Sequence, residues 1–192
     1  EMKKSVPTPR GFLCTAAVND TIYVIGGGYP SAKDVVEAYD PATDTWTTKA
    51  SLPQHRIGMA AAVVDGIIYI MGGNYNERNC QAYNPSTNTW VEKAPIPVGG
   101  GGWVLSATVY NGLIYVFGGS THSPWSPLNA VYVYDPQTNT WARKKDMPTP
   151  RFAVQTYLVD GRIYVMGGSQ SQGTALSTVE VYDPVNDTWK SL

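Results

Sequence analysis

The sequence predicts an all-β protein made of four copies of one small sheet, and three observations support this. A glycine pair recurs at steps of 46, 46 and 49 residues, starting at Gly26, Gly72, Gly118 and Gly167. A short apolar run precedes each pair. A tyrosine follows each pair, and a tryptophan comes seven residues after it, at Tyr39/Trp46, Tyr83/Trp90, Tyr134/Trp141 and Tyr182/Trp189. Self-similarity at a fixed period is typical of a repeat architecture.

Each repeat divides into four predicted strands, called a to d in chain order. The turn between a and b carries a dipeptide that tolerates positive φ and predicts a tight hairpin, namely Asn19-Asp20, Asp65-Gly66, Asn111-Gly112 and Asp160-Gly161. Strand b is apolar at consecutive residues, which predicts that both of its faces are covered. Strand c ends at a proline, which cannot extend the hydrogen-bonded ladder, and strand d carries the tryptophan.

A unit of 46 to 49 residues with a diglycine, then Tyr and Trp, resembles the kelch repeat, and the resemblance covers nearly the whole chain. The resemblance implies four-stranded antiparallel blades of a β-propeller, with strand a innermost, where its small residues suit the crowding around the axis. The four blades are predicted at about residues 8–50, 54–94, 98–145 and 149–192.

The number of repeats raises a question about closure, because kelch propellers usually have six or seven blades. Four repeats are compatible with a tightly closed ring, with part of a larger propeller, or with an arc that another chain completes by self-association. Both ends of the sequence resemble the interior of a longer repeat array, which favours part of a larger propeller.

Composition excludes several classes of partner. The chain is 43% hydrophobic and 15% charged with a net charge of −1, so it can form a core but has no basic excess for nucleic acid. Its apolar runs are too short to span a membrane. Low charge with abundant Gly, Ser, Thr and Asn is typical of secreted proteins, which favours an extracellular location and leaves a cytoplasmic one open.

The residues that carry chemistry are few. His55 and His122 lie in different blades, and Cys14 and Cys80 make neither a disulfide framework nor a zinc site. The glycine runs lack the Gly-Lys-Ser/Thr continuation of a phosphate-binding loop. We therefore predict no catalytic residue, no metal ligand and no cofactor, and the sequence favours a protein that is not an enzyme.

The variable loops fall on one face of the predicted propeller. Antiparallel strands place the a–b and c–d turns on one face and the b–c and d–a connections on the other. The Tyr-to-Trp spacing across c–d is constant, whereas the distance from the second glycine to the tyrosine, across b–c, varies from 10 to 15 residues. Variable loops on one face often mark a binding surface.

Blade 3 varies most, and its loops contain Trp103, His122 and Trp125. An exposed tryptophan beside histidine and proline is a candidate contact residue. The alternative for Trp125 is that it packs its own long loop onto the blade.

Arginines occur sixteen residues before three of the four glycine pairs, at Arg10, Arg56 and Arg151, while blade 3 has Gly102 there. Kelch domains that capture acidic peptides resemble this pattern, with arginines of the innermost strand lining a central pocket. The resemblance implies that these three bind a carboxylate or another anion. Alternatively, each arginine forms a structural pair inside its blade, with Glu37 and Glu180 as partners.

Two functional hypotheses follow. The first is a module that binds a protein or peptide segment, acidic if the arginines take part, through the face formed by the b–c and d–a loops. The second is a carbohydrate-binding or sugar-modifying kelch protein, either lectin-like or similar to a sialic-acid epimerase. The remaining candidate contact residues on this face are His55, Tyr29, Tyr75 and Arg78.

Overall fold

Each repeat folds into one four-stranded antiparallel sheet, as predicted. The structure is a computed structural model that describes residues 2–28, 31–74, 78–97, 102–121, 126–171 and 173–192. Chain order and spatial order agree within every blade, so each strand pairs with its sequence neighbour.

The strands of the four blades have the following bounds. Blade 1 contains β1 (Cys14–Val18), β2 (Thr21–Ile25), β3 (Val36–Asp40) and β4 (Thr45–Thr48). Blade 2 contains β5 (Ala60–Val64), β6 (Ile67–Met71), β7 (Cys80–Asn84) and β8 (Thr89–Lys93). Blade 3 contains β9 (Ser106–Tyr110), β10 (Leu113–Phe117), a small hairpin of β11 (Ser120–Thr121) and β12 (Ser126–Pro127), and then β13 (Val131–Asp135) and β14 (Thr140–Lys144). Blade 4 contains β15 (Gln155–Val159), β16 (Arg162–Met166), a small hairpin of β17 (Ser169–Ser171) and β18 (Thr174–Ala175), and then β19 (Val179–Asp183) and β20 (Thr188–Ser191).

The a–b hairpins have the predicted backbone. Both central residues of all four turns have positive φ, between 47° and 74°. That conformation matches the right-handed twist of the flanking strands, so the dipeptides seen in the sequence fix these turns.

The blades stack face to face around an axis. The inner strands contact one another in the order β1, β5, β9 and β15. Strand β6 shows why strand b is apolar throughout: Ile68 and Ile70 pack in the cluster shared with blade 1, whereas Tyr69 and Met71 pack in the cluster shared with blade 3. Both faces of an interior blade are therefore core.

The stack ends on an exposed face of blade 4. Tyr157 and Val159 are 54% and 49% exposed, whereas the matching residues of blade 2, Ala62 and Val64, are buried. In the part of the chain that the structure describes, no further blade covers this face, and β15 does not pack along β1. The four blades therefore form an open arc, and the structure does not show the closed ring of four that the sequence left open.

A repeated set of hydrogen bonds, here called the linker clamp, fastens each blade to the chain that enters it. In blade 2 the Tyr83 hydroxyl and the Ala50 backbone amide both donate to Oδ1 of Asn88, at 2.7 and 2.8 Å. The Trp90 indole donates to the Ala50 carbonyl at 2.9 Å. The other three clamps consist of Lys4 with Tyr39, Asp44 and Trp46; Ala94 with Tyr134, Asn139 and Trp141; and Lys145 with Tyr182, Asp187 and Trp189.

The clamp explains the constant spacing of seven. Tyr83 and Trp90 are direct cross-strand partners, and their ring centroids lie 4.9 Å apart. Asn88, between them, turns the chain with a φ of 55°. The repeated aromatic residues are thus structural and do not form a ligand cage.

The diglycine lies where the next blade passes closest. The Gly27 amide donates to the Arg56 carbonyl at 2.7 Å, and a Cβ at Gly26 would lie 2.8 Å from the same oxygen. Gly26 also has a φ of 55°. Only glycine satisfies both demands without strain.

We predict that Asn88→Ala destabilises the protein by about 1–3 kcal/mol, because two donors lose one shared acceptor. Urea unfolding followed by tryptophan fluorescence measures the change. Asn88→Asp is the matched control, because Asp occupies this position in blades 1 and 4, and it should retain nearly the full stability. Equal stabilities for the Ala and Asp variants would contradict a stabilising role for the clamp.

Acid should loosen the two clamps that contain aspartate. The Lys4 amide, and then the Tyr39 hydroxyl, hold the pKa of Asp44 below its usual range. Burial alone would raise the pKa of Asp187, but the Tyr182 hydroxyl and the Lys145 amide lower it overall. A folded-state pKa below the unfolded value contributes stability that is present above about pH 4 and is lost as the pH falls through the folded value.

The double variant Asp44→Asn/Asp187→Asn should therefore lose less stability between pH 7 and pH 3 than the natural chain does. The amide oxygen keeps the acceptor without a titrating group, as in blades 2 and 3. Urea midpoints at both pH values test this, with Asp20→Asn in a hairpin turn as the control. An unchanged pH dependence in the double variant would contradict the prediction.

Candidate functional site

The b–c and d–a connections meet on one face, here called the loop face. Backbone bridges join them in three blades, pairing Lys33 with Arg56, Trp103 with Ser120, and Phe152 with Ser169. The hairpins of blades 3 and 4 also touch, through β12 and β17. The face that carries the variable lengths is therefore one continuous surface.

A row of left-handed residues, here called the rim, follows the arc of the inner strands on the loop face. It consists of the residue two positions before each inner strand, namely Phe12, Gly58, Val104 and Ala153, with φ between 52° and 65°. Gly58 donates to the Phe12 carbonyl at 2.9 Å, Val104 to that of Gly58 at 2.8 Å, and Ala153 to that of Val104 at 2.9 Å. A β-branched residue such as Val104 adopts this conformation only when its surroundings enforce it, so the rim is a pinned structure.

The rim opens into a central cavity of about 340 Å³. The cavity is lined by the rim and by residues of the inner strands, including Ser106 and Thr156, and no charged side chain lines it within the described ranges. The hydroxyls of Ser106 and Thr156 lie 2.8 Å apart, and Thr108 donates to Thr156 at 2.5 Å. The described lining is therefore uncharged and combines apolar side chains with hydroxyl and other polar groups.

Two of the predicted arginines form buried ion pairs inside their own blades. The Arg10 side chain is fully buried and donates to Glu37 at 2.6 Å and to the Gly26 carbonyl at 2.7 Å. Arg151 is likewise fully buried and donates to Glu180 at 2.6 Å. Burial lowers the pKa of Arg151, and the Glu180 carboxylate opposes that shift.

In blades 2 and 3, other residues replace one or both members of this arginine–glutamate pair. Arg56 is fully buried and donates to the carbonyls of Gly72 and Asn79, both at 3.4 Å, while Gln81 replaces the glutamate. Blade 3 replaces both members, with Gly102 and Tyr132. The structure thus does not support the prediction that the arginines line a central anion pocket, because the charged groups lie between strands and away from the cavity.

The remaining candidates occupy different environments. His55 is exposed on the loop face, and its carbonyl accepts a hydrogen bond from the Asn74 side chain at 2.9 Å. Arg78 holds the linker, since it donates to the Ile96 carbonyl at 3.1 Å. Trp103 is half-buried beside the rim. The other four candidates lie outside the described residues, namely Tyr29, Tyr75, His122 and Trp125.

Phe12 is a site residue that the sequence reasoning missed. Its side chain is 55% exposed, lines the cavity and lies 6.1 Å from the Trp103 ring, centroid to centroid. The four rim positions carry four different residue types, so no repeated residue could have marked them. Only their spacing from the glycine pair, fourteen residues, is constant, and it is the same in all four blades.

The described residues contain no group of three or more His, Cys, Asp or Glu that could hold a metal ion. Cys14 and Cys80 are buried free thiols, and burial raises the pKa of each to about 12, which keeps them protonated. No helix in these ranges has the length and apolarity needed to cross a membrane.

Two kelch family models match the chain. The Kelch motif matches residues 9–53 and 55–97, and the KLHDC2/KLHL20/DRC7 Kelch-repeats domain matches residues 100–192. Together they cover almost the whole chain, and their boundaries fall between the blades. The sheets are blades of a β-propeller, and the chain belongs to the kelch-repeat family.

Curated relatives are longer than this chain. Kelch-like ECH-associated protein 1B of Danio rerio is 32% identical over 165 residues, which are 85% of this chain and 20% of that protein. Beta-scruin of Limulus polyphemus is 26% identical over 182 residues, or 91% of this chain and 15% of that protein. Kelch-like protein terF of Aspergillus terreus is 30% identical and is covered to 41%. The chain thus spans less than half of each relative.

The solved structure of YjhT has the same fold. It superposes with a TM-score of 0.85 at 22% identity, over 99% of this chain and 67% of that chain. The likeness shows that these blades have the arrangement of a larger propeller.

The buried pair in blade 4 gives a test of the structural role of the arginines. We predict that Arg151→Met and Glu180→Met each destabilise the protein by about 3–5 kcal/mol, because each leaves a buried charge unpaired. The double variant should be more stable than either single variant, since no uncompensated charge remains. Urea unfolding of all four proteins gives the coupling free energy. Small, additive losses would contradict a structural ion pair.

Proposed function

We propose that this chain is a protein-interaction module that binds its partner through the loop face. The observation that carries the proposal is the contrast between the two faces. The opposite face consists of tight turns that are the same in every blade, whereas the loop face combines loops of changing length with a pinned rim and an open cavity. A rigid scaffold that presents variable loops is typical of binding proteins.

The relatives support an interaction role in general terms. One of them is named as a protein associated with another, ECH, and its match covers 85% of this chain. None of the relatives reported above is named for a carbohydrate, so the carbohydrate hypothesis gains no support from them.

The partner segment need not be acidic. The arginines that suggested an anion site are buried within the blades, with Arg10 and Arg151 already paired to carboxylates. A partner on the loop face would therefore contact its exposed loops and the neutral cavity.

Selection of a random peptide library against the immobilised 192-residue chain tests the proposal. Selected peptides are resynthesised and titrated against variants with a new charge on the loop face, His55→Glu and Thr174→Arg, both at exposed positions. At least one variant should weaken binding about tenfold, which corresponds to 1.4 kcal/mol.

Thr87→Arg is the matched control, because Thr87 is equally exposed but lies in a c–d turn on the opposite face. It should leave the affinity unchanged. Peptides that respond to Thr87→Arg alone, or a library that yields no binder, would overturn the proposal.

A further inference from the structure

Phe12 holds an exposed aromatic ring on a strained backbone. Its φ is 52°, and its side chain is 55% exposed. Bulky residues rarely adopt left-handed φ, and a half-exposed ring gains little from burial. The fold does not require the ring, since the other rim positions hold Gly58, Val104 and Ala153 and make the same relay of backbone hydrogen bonds. The rim requires the left-handed backbone at this position but not an aromatic side chain, and a bulky residue kept there points to function.

Trp103 fixes the direction of that ring. Its backbone exchanges two hydrogen bonds with Ser120, at 3.1 and 3.0 Å, so it is fastened to blade 3. Its indole lies over Gly58, where a Cβ would collide with the indole nitrogen. The Phe12 and Trp103 rings then meet at 6.1 Å with a tilt of 40°. Trp103 is thus a positioning residue for Phe12, which lines the cavity.

The cavity below Phe12 sets the chemistry of what can enter. Ser106 is the first residue of β9, two residues beyond Val104 of the rim, and it lines the cavity. Its hydroxyl and that of Thr156 can donate or accept a hydrogen bond. A charged group that enters here meets no opposite charge among the described lining residues.

We infer that the cavity receives one neutral aromatic side chain of the partner segment, of the tyrosyl type. The entering ring packs against the exposed part of Phe12, and its phenolic hydroxyl hydrogen-bonds with Ser106. This inference rests on the proposed function and specifies the partner chemistry at the centre of the loop face.

Titrations monitored by saturation-transfer NMR test the inference with four probes: N-acetyl-L-tyrosinamide, N-acetyl-L-phenylalaninamide, N-acetyl-L-aspartate and methyl α-D-glucopyranoside. The tyrosyl amide should bind most tightly, followed by the phenylalanyl amide.

Phe12→Gly should weaken binding of the tyrosyl amide about threefold to tenfold, the effect of one aromatic contact. Because glycine relieves the left-handed strain, the melting temperature should stay within about 2–4 °C of the natural value. Ser106→Ala should remove the preference for the tyrosyl amide over the phenylalanyl amide.

Val91→Ala is the matched control, because Val91 is 54% exposed and lies on β8, the outermost strand of blade 2. It should bind the tyrosyl amide as the natural chain does. Tighter binding of the aspartate or the glucoside, or unchanged binding by Phe12→Gly, overturns the inference. If the amides fail to bind while selected peptides still depend on the loop face, this inference fails and the interaction role stands. If the amides bind through Phe12 but no peptide is selected, the cavity accepts the aromatic ring and the interaction role fails.

Discussion

The linker clamp is the interaction on which the rest of the structure depends. Each blade is a small sheet with two apolar faces, and it is stable only when it is held against its neighbours. The clamp does this with one Asn or Asp oxygen that accepts from both the blade's tyrosine and the incoming linker, while the tryptophan returns a hydrogen bond to that linker. At about 0.5–1.5 kcal/mol for each hydrogen bond, a clamp contributes as much as a large core side chain.

The buried ion pairs show a second way of joining segments within a blade. Arg10 and Arg151 each tie the start of the blade to strand c through a glutamate and to strand b through carbonyl groups. Burying such charges is costly unless they are paired. Blade 3 lacks both members of the pair, whereas blade 2 keeps a buried Arg56 with Gln81 in place of the glutamate. The arginines that the sequence suggested as anion-binding residues are thus structural in blades 1 and 4.

The loop face tolerates side chains that differ between blades. The clamps lie at the outer strands, and each buried arginine bonds within its own blade. At the axis, a relay of backbone hydrogen bonds holds the rim, and a relay through the backbone places little restriction on side chains beyond the strain of positive φ. Phe12 and Trp103 can therefore differ from their counterparts in other blades without loss of the fold.

The sequence alone determined the repeat, the four strands of each blade, the hairpin turns and the shared face of the variable loops. These follow from local rules, since turn dipeptides, apolar runs and constant spacings act over a few residues. The tertiary structure alone decided the surroundings of the arginines and of Phe12. Arg10 is an internal ion pair because Glu37, 27 residues away, folds against it. Phe12 faces a cavity because three other blades supply the remaining walls. Contacts between distant segments carry no local signal, and only the assembled blades bring them together.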